Sequence, residues 1–269
     1  MTLRYVAENF RGLLARRELV FVLVKKALRE KHIGSVLGFF WTFYTALFPL
    51  LSYTFVFFFI AGVRVPGAES PGGYLVFVFS GLLPWLFFSR VTTESVDALN
   101  SNLDLLKQAI FPVEMITLVS STENLVVFSV QCVALVLLMV FVSPASLLKL
   151  VMLPLFVAAL FFFCLGLGWI LSIVGMFLRD MKDVVTSLLH FLLYVTPTLY
   201  AKENVPDALW PLFQLNPMTH AINFFRDIVY YSDFRSLDSI GIFLGLTAVA
   251  FIGGYAAILT AKKTIGDMV

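Results

Sequence analysis

The stretch LVMLPLFVAALFFFCLGLGWILSIVGMFL, residues 150–178, contains no Asp, Glu, Lys or Arg, and Lys149 and Arg179 bracket it. A bilayer core about 30 Å thick is crossed by roughly 20 apolar residues of helix. Residues 150–178 exceed that length, and an all-round apolar helix has no face to give to water. Five more stretches free of these four residue types share the character: residues 33–63, 70–89, 124–148, 184–201 and 239–261. The shortest, 184–201, stands at the lower limit of a span. The expected fold class is an all-α integral membrane protein with six transmembrane helices.

The composition points the same way. Of 269 residues, 60% are hydrophobic and 13% charged, where a soluble domain carries roughly 25% charge and 45–50% apolar residues. Such a chain cannot cover its own surface with polar groups, so lipids are among its partners and nucleic acid is not. The breakers Pro66-Gly67, Pro71-Gly72-Gly73 and Pro144 fall between the runs, as connections require. Pro49 and Pro84 fall inside runs and are expected to kink their helices, which membrane helices tolerate when neighbours satisfy the freed carbonyls. The first 32 residues alternate charged and apolar positions, unlike a cleavable leader, so the first span is expected to direct insertion.

Direction follows from the basic residues, which concentrate in cytoplasmic loops. With the N-terminus inside, 14 of the 19 Lys and Arg residues fall inside; the others are Arg64, Lys149, Lys202, Arg226 and Arg235. Both termini are therefore expected in the cytoplasm. Residues 1–38 would form a cytoplasmic interface segment, 39–261 the six-helix membrane region and 262–269 a cytoplasmic tail, all within one domain covering 1–269.

Three segments outside the spans carry further information. Residues 1–32 read as an amphipathic helix with Phe10, Leu13, Leu14 and Leu28 opposite a basic face. Such helices lie on membranes with anionic headgroups, although a solvated basic tail would show the same charge. Apolar residues between Leu103 and Phe111 recur at helical spacing before Pro112 breaks the chain, so a short inner-face helix is expected that docks a partner or rests on lipid. Residues 202–238 hold Leu209, Trp210, Phe213, Phe224, Phe225 and Tyr231, too apolar for a simple exposed loop. Two short outer-leaflet helices hinged at Asn216-Pro217 fit better.

Catalytic signals are absent. No GxxxxGK[ST] loop is present, so nucleotide hydrolysis by that route is excluded. His32, His190 and His220 stand far apart, and Cys132 and Cys164 sit inside apolar runs, so metal-ligand spacing and a disulfide framework are both lacking. Asp180 and Asp183 beside Arg179 and Lys182 read as a salt-linked hairpin before they read as a catalytic pair. Glu123 is the one acid placed for immersion, and it is expected to face protein or headgroups beside Thr122 and Asn124.

Several features occur together in a recognisable order. Residues Arg29-Glu30-Lys31-His32-Ile33-Gly34-Ser35-Val36-Leu37-Gly38, then Trp41 and Pro49, resemble the approach to the first span in ABC-2-type permeases, with departures at His32 and Ile33. Asn100, Leu106-Lys107 and Phe111-Pro112 look like that family's coupling segment. Arg179-Asp180, Tyr194, Pro197, Tyr200, Val205-Pro206, Asn216-Pro217 and Arg226 follow its second half in order. The set is similar to the membrane subunit of O-antigen, capsule and teichoic-acid exporters.

The resemblance implies a homodimer in the bacterial inner membrane, working with two ATP-binding-cassette subunits on a lipid-linked glycan. ATP and Mg would be bound by those partner subunits, with no cofactor in this chain. It also implies that Arg29, Leu103, Leu105, Leu106, Lys107 and Phe111 couple to the ATPase subunit. The first and fifth spans would line the channel, where Trp41, Tyr44, Tyr194 and Tyr200 offer flat rings with a polar handle for sugars. Tyr194 and Tyr200 share a face only if Pro197 bends the chain between them. The alternative for these aromatics is a belt at the membrane interface. A secondary transporter would favour internal repeats and midplane charges, and a lipid-linked-sugar enzyme would favour clustered carboxylates; neither pattern is evident.

Overall fold

Proline and serine chemistry sets the start of the first long helix. The computed structural model describes residues 12, 16–30, 44, 48, 51–60, 62–63, 65–67, 70–107, 111–142, 147–178, 180–231 and 233–268. The amphipathic helix α1 is Arg17–Glu30, and α2 is Pro71–Asp97. Pro71 supplies a first helical residue with no N–H to leave unpaired, and the Ser70 hydroxyl accepts from Gly73 N at 3.1 Å. Pro84 is carried inside α2 without ending it.

A 3-10 turn at Asn100–Asn102 leads to the four-residue α3, Leu103–Leu106. Four helices of fifteen or more residues follow: α4 (Glu114–Val142), α5 (Leu153–Phe177, after the 3-10 turn Leu147–Met152), α6 (Met181–Val195) and the last of the chain's helices, Leu237–Met268. Between α6 and that last helix lie α7, Trp210–Gln214, and α8, Pro217–Val229, so the last is α9. No strand occurs among the described residues.

Among the described residues four helices are long and apolar enough to cross a membrane: Pro71–Asp97, Glu114–Met139, Lys149–Phe177 and Leu237–Lys262. They correspond to the expected second, third, fourth and sixth spans. The expected first span is described chiefly at the apolar helix Leu51–Ile60, whose last part, Phe55–Ile60, is a π-helix. Pro49 lies outside the described residues. The fifth span is α6, whose 15 residues rise about 22 Å, short of a bilayer core. It stops there because Thr196 precedes Pro197 and takes an extended conformation, ψ 135°, the region a following proline enforces.

Side-chain links fix which helix ends lie together. Lys182 of α6 pairs with Asp97 at the end of α2, Asn100 donates to Gly175 O near the end of α5, and Lys262 of α9 reaches Glu114 at the start of α4. At the opposite end, Tyr230 meets Phe77 near the start of α2, and Phe156 of α5 meets Phe224 and Phe225 of α8. The five helices α2, α4, α5, α6 and α9 therefore alternate down, up, down, up, down, which is the sense that the six-span reading assigned to them.

The closest packing is between α5 and α9, which run in the same direction: Phe156 meets Phe243 and Trp169 meets Tyr255. A Cβ on Gly254 would lie 2.0 Å from Gly166 O, and one on Gly166 would lie 2.3 Å from Ala250 O. Only glycine lets two backbones approach so closely, the means by which helices associate where lipid gives no hydrophobic drive. Around this pair, α2 is buried on nearly every side and α8 is buried from Met218 to Val229 except at Asn223. The two short helices expected within 202–238 are present as α7 and α8, with the hinge at Asn216-Pro217. Nevertheless α8 is a core helix of its end, enclosed by α2, α5 and α9, because both its apolar residues and its charged pair Arg226 and Asp227 find partners inside.

Candidate functional site

Where α6 breaks, three consecutive carbonyls lose their helical partners and must be satisfied otherwise. Arg226 of α8 does most of this. Its side chain is 2% exposed, and its Nη2 donates to Thr198 O at 2.8 Å while Nη1 reaches Tyr200 O at 3.4 Å. The Tyr74 hydroxyl of α2 donates to Leu199 O at 3.1 Å. The guanidinium also lies over the Phe77 ring, 3.9 Å from its centre. Gly81 of α2 admits the broken strand, since a Cβ there would lie 2.2 Å from Thr198 O. Asn216 closes the hinge from below, its Oδ1 capping Met218 N at 3.0 Å and its amide donating to Thr196 Oγ1 at 2.7 Å.

The neighbouring charge is used in the same way. Asp227 is fully buried and accepts from Arg235 N at 3.2 Å and Ser236 N at 2.8 Å, which fixes the turn into α9. Lys149 donates to the carbonyls of Asp227 and Tyr231, both at 3.2 Å. His220 bridges Gln214 O at 2.8 Å and Ser239 Oγ at 3.2 Å. With the proton on Nε2, the ring donates to the carbonyl and accepts from the serine.

At the other end α1 lies along α4. Val20, Leu23, Val24, Ala27 and Leu28 are its covered positions, a single helical stripe, with the basic residues outward. Leu28 belongs to the apolar face expected from the sequence; Phe10, Leu13 and Leu14 lie outside the described residues. A cavity of about 230 Å³ between α1, the α3 segment and α4 is lined by Lys26, Glu30, Leu105, Phe111, Ser120 and Glu123 among others. Glu123 is 8% exposed and so faces protein. Next to it, Asn124 and Ser120 both donate to one oxygen of Glu94 on α2, at 2.5 and 3.1 Å.

The residues expected to couple to a partner divide into two groups. Leu103 and Lys107 are exposed, whereas Leu106 and Phe111 pack against a cluster containing Leu99, Trp169, Tyr255 and Ile258. Leu105 and Phe111 line the same cavity as Leu23, Lys26, Ala27 and Glu30 of α1. Arg29 is exposed in the last turn of α1. The expected helix is shorter than the apolar spacing suggested: only Leu103–Leu106 is α-helical, with residues 108–110 outside the described set. In the loop between α5 and α6, the described salt link runs from Lys182 across to Asp97, not to Asp180 or Asp183.

Of the four expected channel aromatics, Trp41 lies outside the described residues. Tyr44 is exposed and stacked on Phe48, ring centres 5.4 Å apart. Tyr194 is 66% exposed at the end of α6. The chain does bend at Pro197: the Tyr200 hydroxyl returns to Tyr194 O at 2.5 Å, although the Tyr200 ring turns toward Phe213. Arg226 is expected in the outer segment and in the family's order, with no partner assigned; no periodicity signals a buried arginine, and the break at Pro197 is the feature that calls for a donor.

This architecture is that of a multi-pass membrane protein whose broken helix is held by a short buried helix. Residues 18–230 match the ABC-2 type transporter family, and the chain belongs to it. It is 28% identical over 212 residues to the O-antigen export system permease protein RfbA of Klebsiella pneumoniae, covering 78% of this chain and 80% of that one. The RfbA of Myxococcus xanthus is 28% identical over 222 residues, 82% and 83% of the two chains. The polysialic acid transport protein KpsM of Escherichia coli is 24% identical over 246 residues, 90% and 93%.

Proposed function

We propose that this chain is the permease subunit of an ATP-driven exporter that moves a lipid-linked, O-antigen-like polysaccharide across the bacterial inner membrane. The observation that carries the reading is the family match over residues 18–230, joined by relatives of that same export class along most of the chain. The absence of a phosphate loop from the sequence is consistent with ATP and Mg being handled by a separate subunit. Two copies of this chain with two such subunits form the working unit, because a bundle this small encloses no path wide enough for a polymer. The α3 end faces the cytoplasm and the α8 end the outside, a reading supported by the basic-residue asymmetry of the sequence. The α3 segment, together with the neighbourhood of Arg29, meets the ATPase subunit, and the rings of Trp41, Tyr44, Tyr194 and Tyr200 contribute to the glycan path.

Copurification of this chain with its ATP-binding-cassette subunit, and surface glycan display that needs both chains, test the function. Display that persists without this chain would refute it. Orientation is tested with single cysteines at Leu103 and at Asp207 and an impermeant thiol reagent on intact cells, with only the second expected to label. For coupling, changing Leu105, Leu106 and Phe111 to Ser should leave the protein inserted and abolish export while ATP hydrolysis continues.

A further inference from the structure

At the α8 end a cavity of about 370 Å³ opens between residues 202–203, α7, α8 and the first turn of α9. Its volume lies in the roughly 300–1,000 Å³ range of small-molecule sites, but its lining is unlike the mostly apolar walls of such sites. The Trp210 ring stands beside the amides of Gln214 and Asn223 and the carboxylates of Glu203 and Asp238. Among the described residues none of those four polar groups makes a hydrogen bond to protein. Arg226 lies in the wall as well, 2% exposed, and its buried Nε has no hydrogen-bond partner.

The distribution of charge narrows the ligand. Cations in the wall are already occupied: Lys202 lies 5.2 Å from the Trp210 ring centre, Arg235 lies 4.1 Å from that of Tyr231, and Arg226 holds the broken strand. A free phosphate entering here would also meet the Glu203 and Asp238 carboxylates. The spare groups are instead acceptors and amides on one side and a flat aromatic ring on the other. A pyranose matches that set: hydroxyls that both donate and accept around its rim, and a C–H face that lies on an indole. Lys202 is exposed and can swing off the indole to admit it.

We propose that this cavity is a saccharide subsite that holds one sugar residue of the exported glycan on the side where the chain emerges. Trp210 carries the C–H face, and Asn223, Gln214, Glu203 and Asp238 bind the hydroxyls. The assignment rests on the polysaccharide-exporter reading and adds to it a place where the sugar is recognised.

The full-length protein in lipid nanodiscs, mixed with millimolar methyl glucoside, methyl mannoside, methyl galactoside, methyl N-acetylglucosaminide or glucuronate, tests this by saturation-transfer NMR. Ring protons of at least one probe should be saturated, and the signal should fall at least fivefold in Trp210→Ala and in Asn223→Ala. Should either variant misassemble on gel filtration, Asp238→Asn, a change at an exposed residue, should still lower it. No saturation of any probe, saturation unaltered in the folded variants, or binding of inorganic phosphate alone would overturn the subsite. Glycan display by the wild-type chain with its ATPase subunit is measured alongside. Failed display counts against the exporter reading, whereas display without saccharide saturation counts against the subsite alone.

Discussion

The two ends of the bundle are held by different kinds of bond. At the α8 end the links run from buried side chains to backbone: Arg226 to two carbonyls, Tyr74 to a third, Asp227 to two amides and Lys149 to two more carbonyls. At the α3 end, beside the Asn100 bond to Gly175 O, Lys182 pairs with Asp97 and Lys26 with Glu30 in partial contact with water, and the half-exposed Lys262 reaches the buried Glu114. A desolvated bond to a backbone group has no substitute when broken, whereas a solvated ion pair exchanges for water at little cost. The contrast teaches that one end is built to keep a broken helix in one shape, and the other to let helices shift relative to each other.

The largest test of this contrast is Arg226→Leu, which strands the Thr198 and Tyr200 carbonyls in a buried site and should cost about 2–4 kcal/mol in detergent unfolding followed by intrinsic fluorescence. Arg226→Lys should recover part of this, since a point charge serves one carbonyl and not a fork of two. Next comes Asp227→Ala, which releases the Arg235 and Ser236 amides at a cost of about 1–3 kcal/mol and should increase amide exchange at the start of α9. Smallest is Lys182→Ala, for which the melting temperature should not move. A loss at Lys182 as large as that at Asp227 would break the comparison.

Legibility from sequence divides along the same line. The long spans could be read because charge-free runs have one physical explanation in water and another in lipid, and α2, α4, α5 and α9 follow them. The hinge at Asn216-Pro217 was also legible, since asparagine caps and proline starts a helix. What escaped was burial without periodicity. The sequence places Arg226 and Asp227 in the outer helical segment without showing that they are buried, and only the gap left by Pro197 reveals what the arginine serves. Likewise Leu106 and Phe111 look like a docking face, but half of that face is consumed by Trp169 and Tyr255. The α6 span ran six residues past its helical end because Thr196–Tyr200 are apolar or uncharged and only backbone geometry separates them from helix.

The crossing of Gly166 with Gly254 carries a consequence for biogenesis. The two helices that touch most closely are not neighbours in the chain: α6, α7 and α8 are made between them. While the ribosome is still delivering those elements, the glycine face of α5 stands in lipid with no mate, and the contact forms only after α9 has left the translocon. Assembly of this subunit is therefore completed after synthesis, by lateral association of a late helix with an early one. A nascent chain interrupted before α9 would present that bare glycine face to membrane proteases, giving the cell a way to distinguish a finished subunit from an unfinished one.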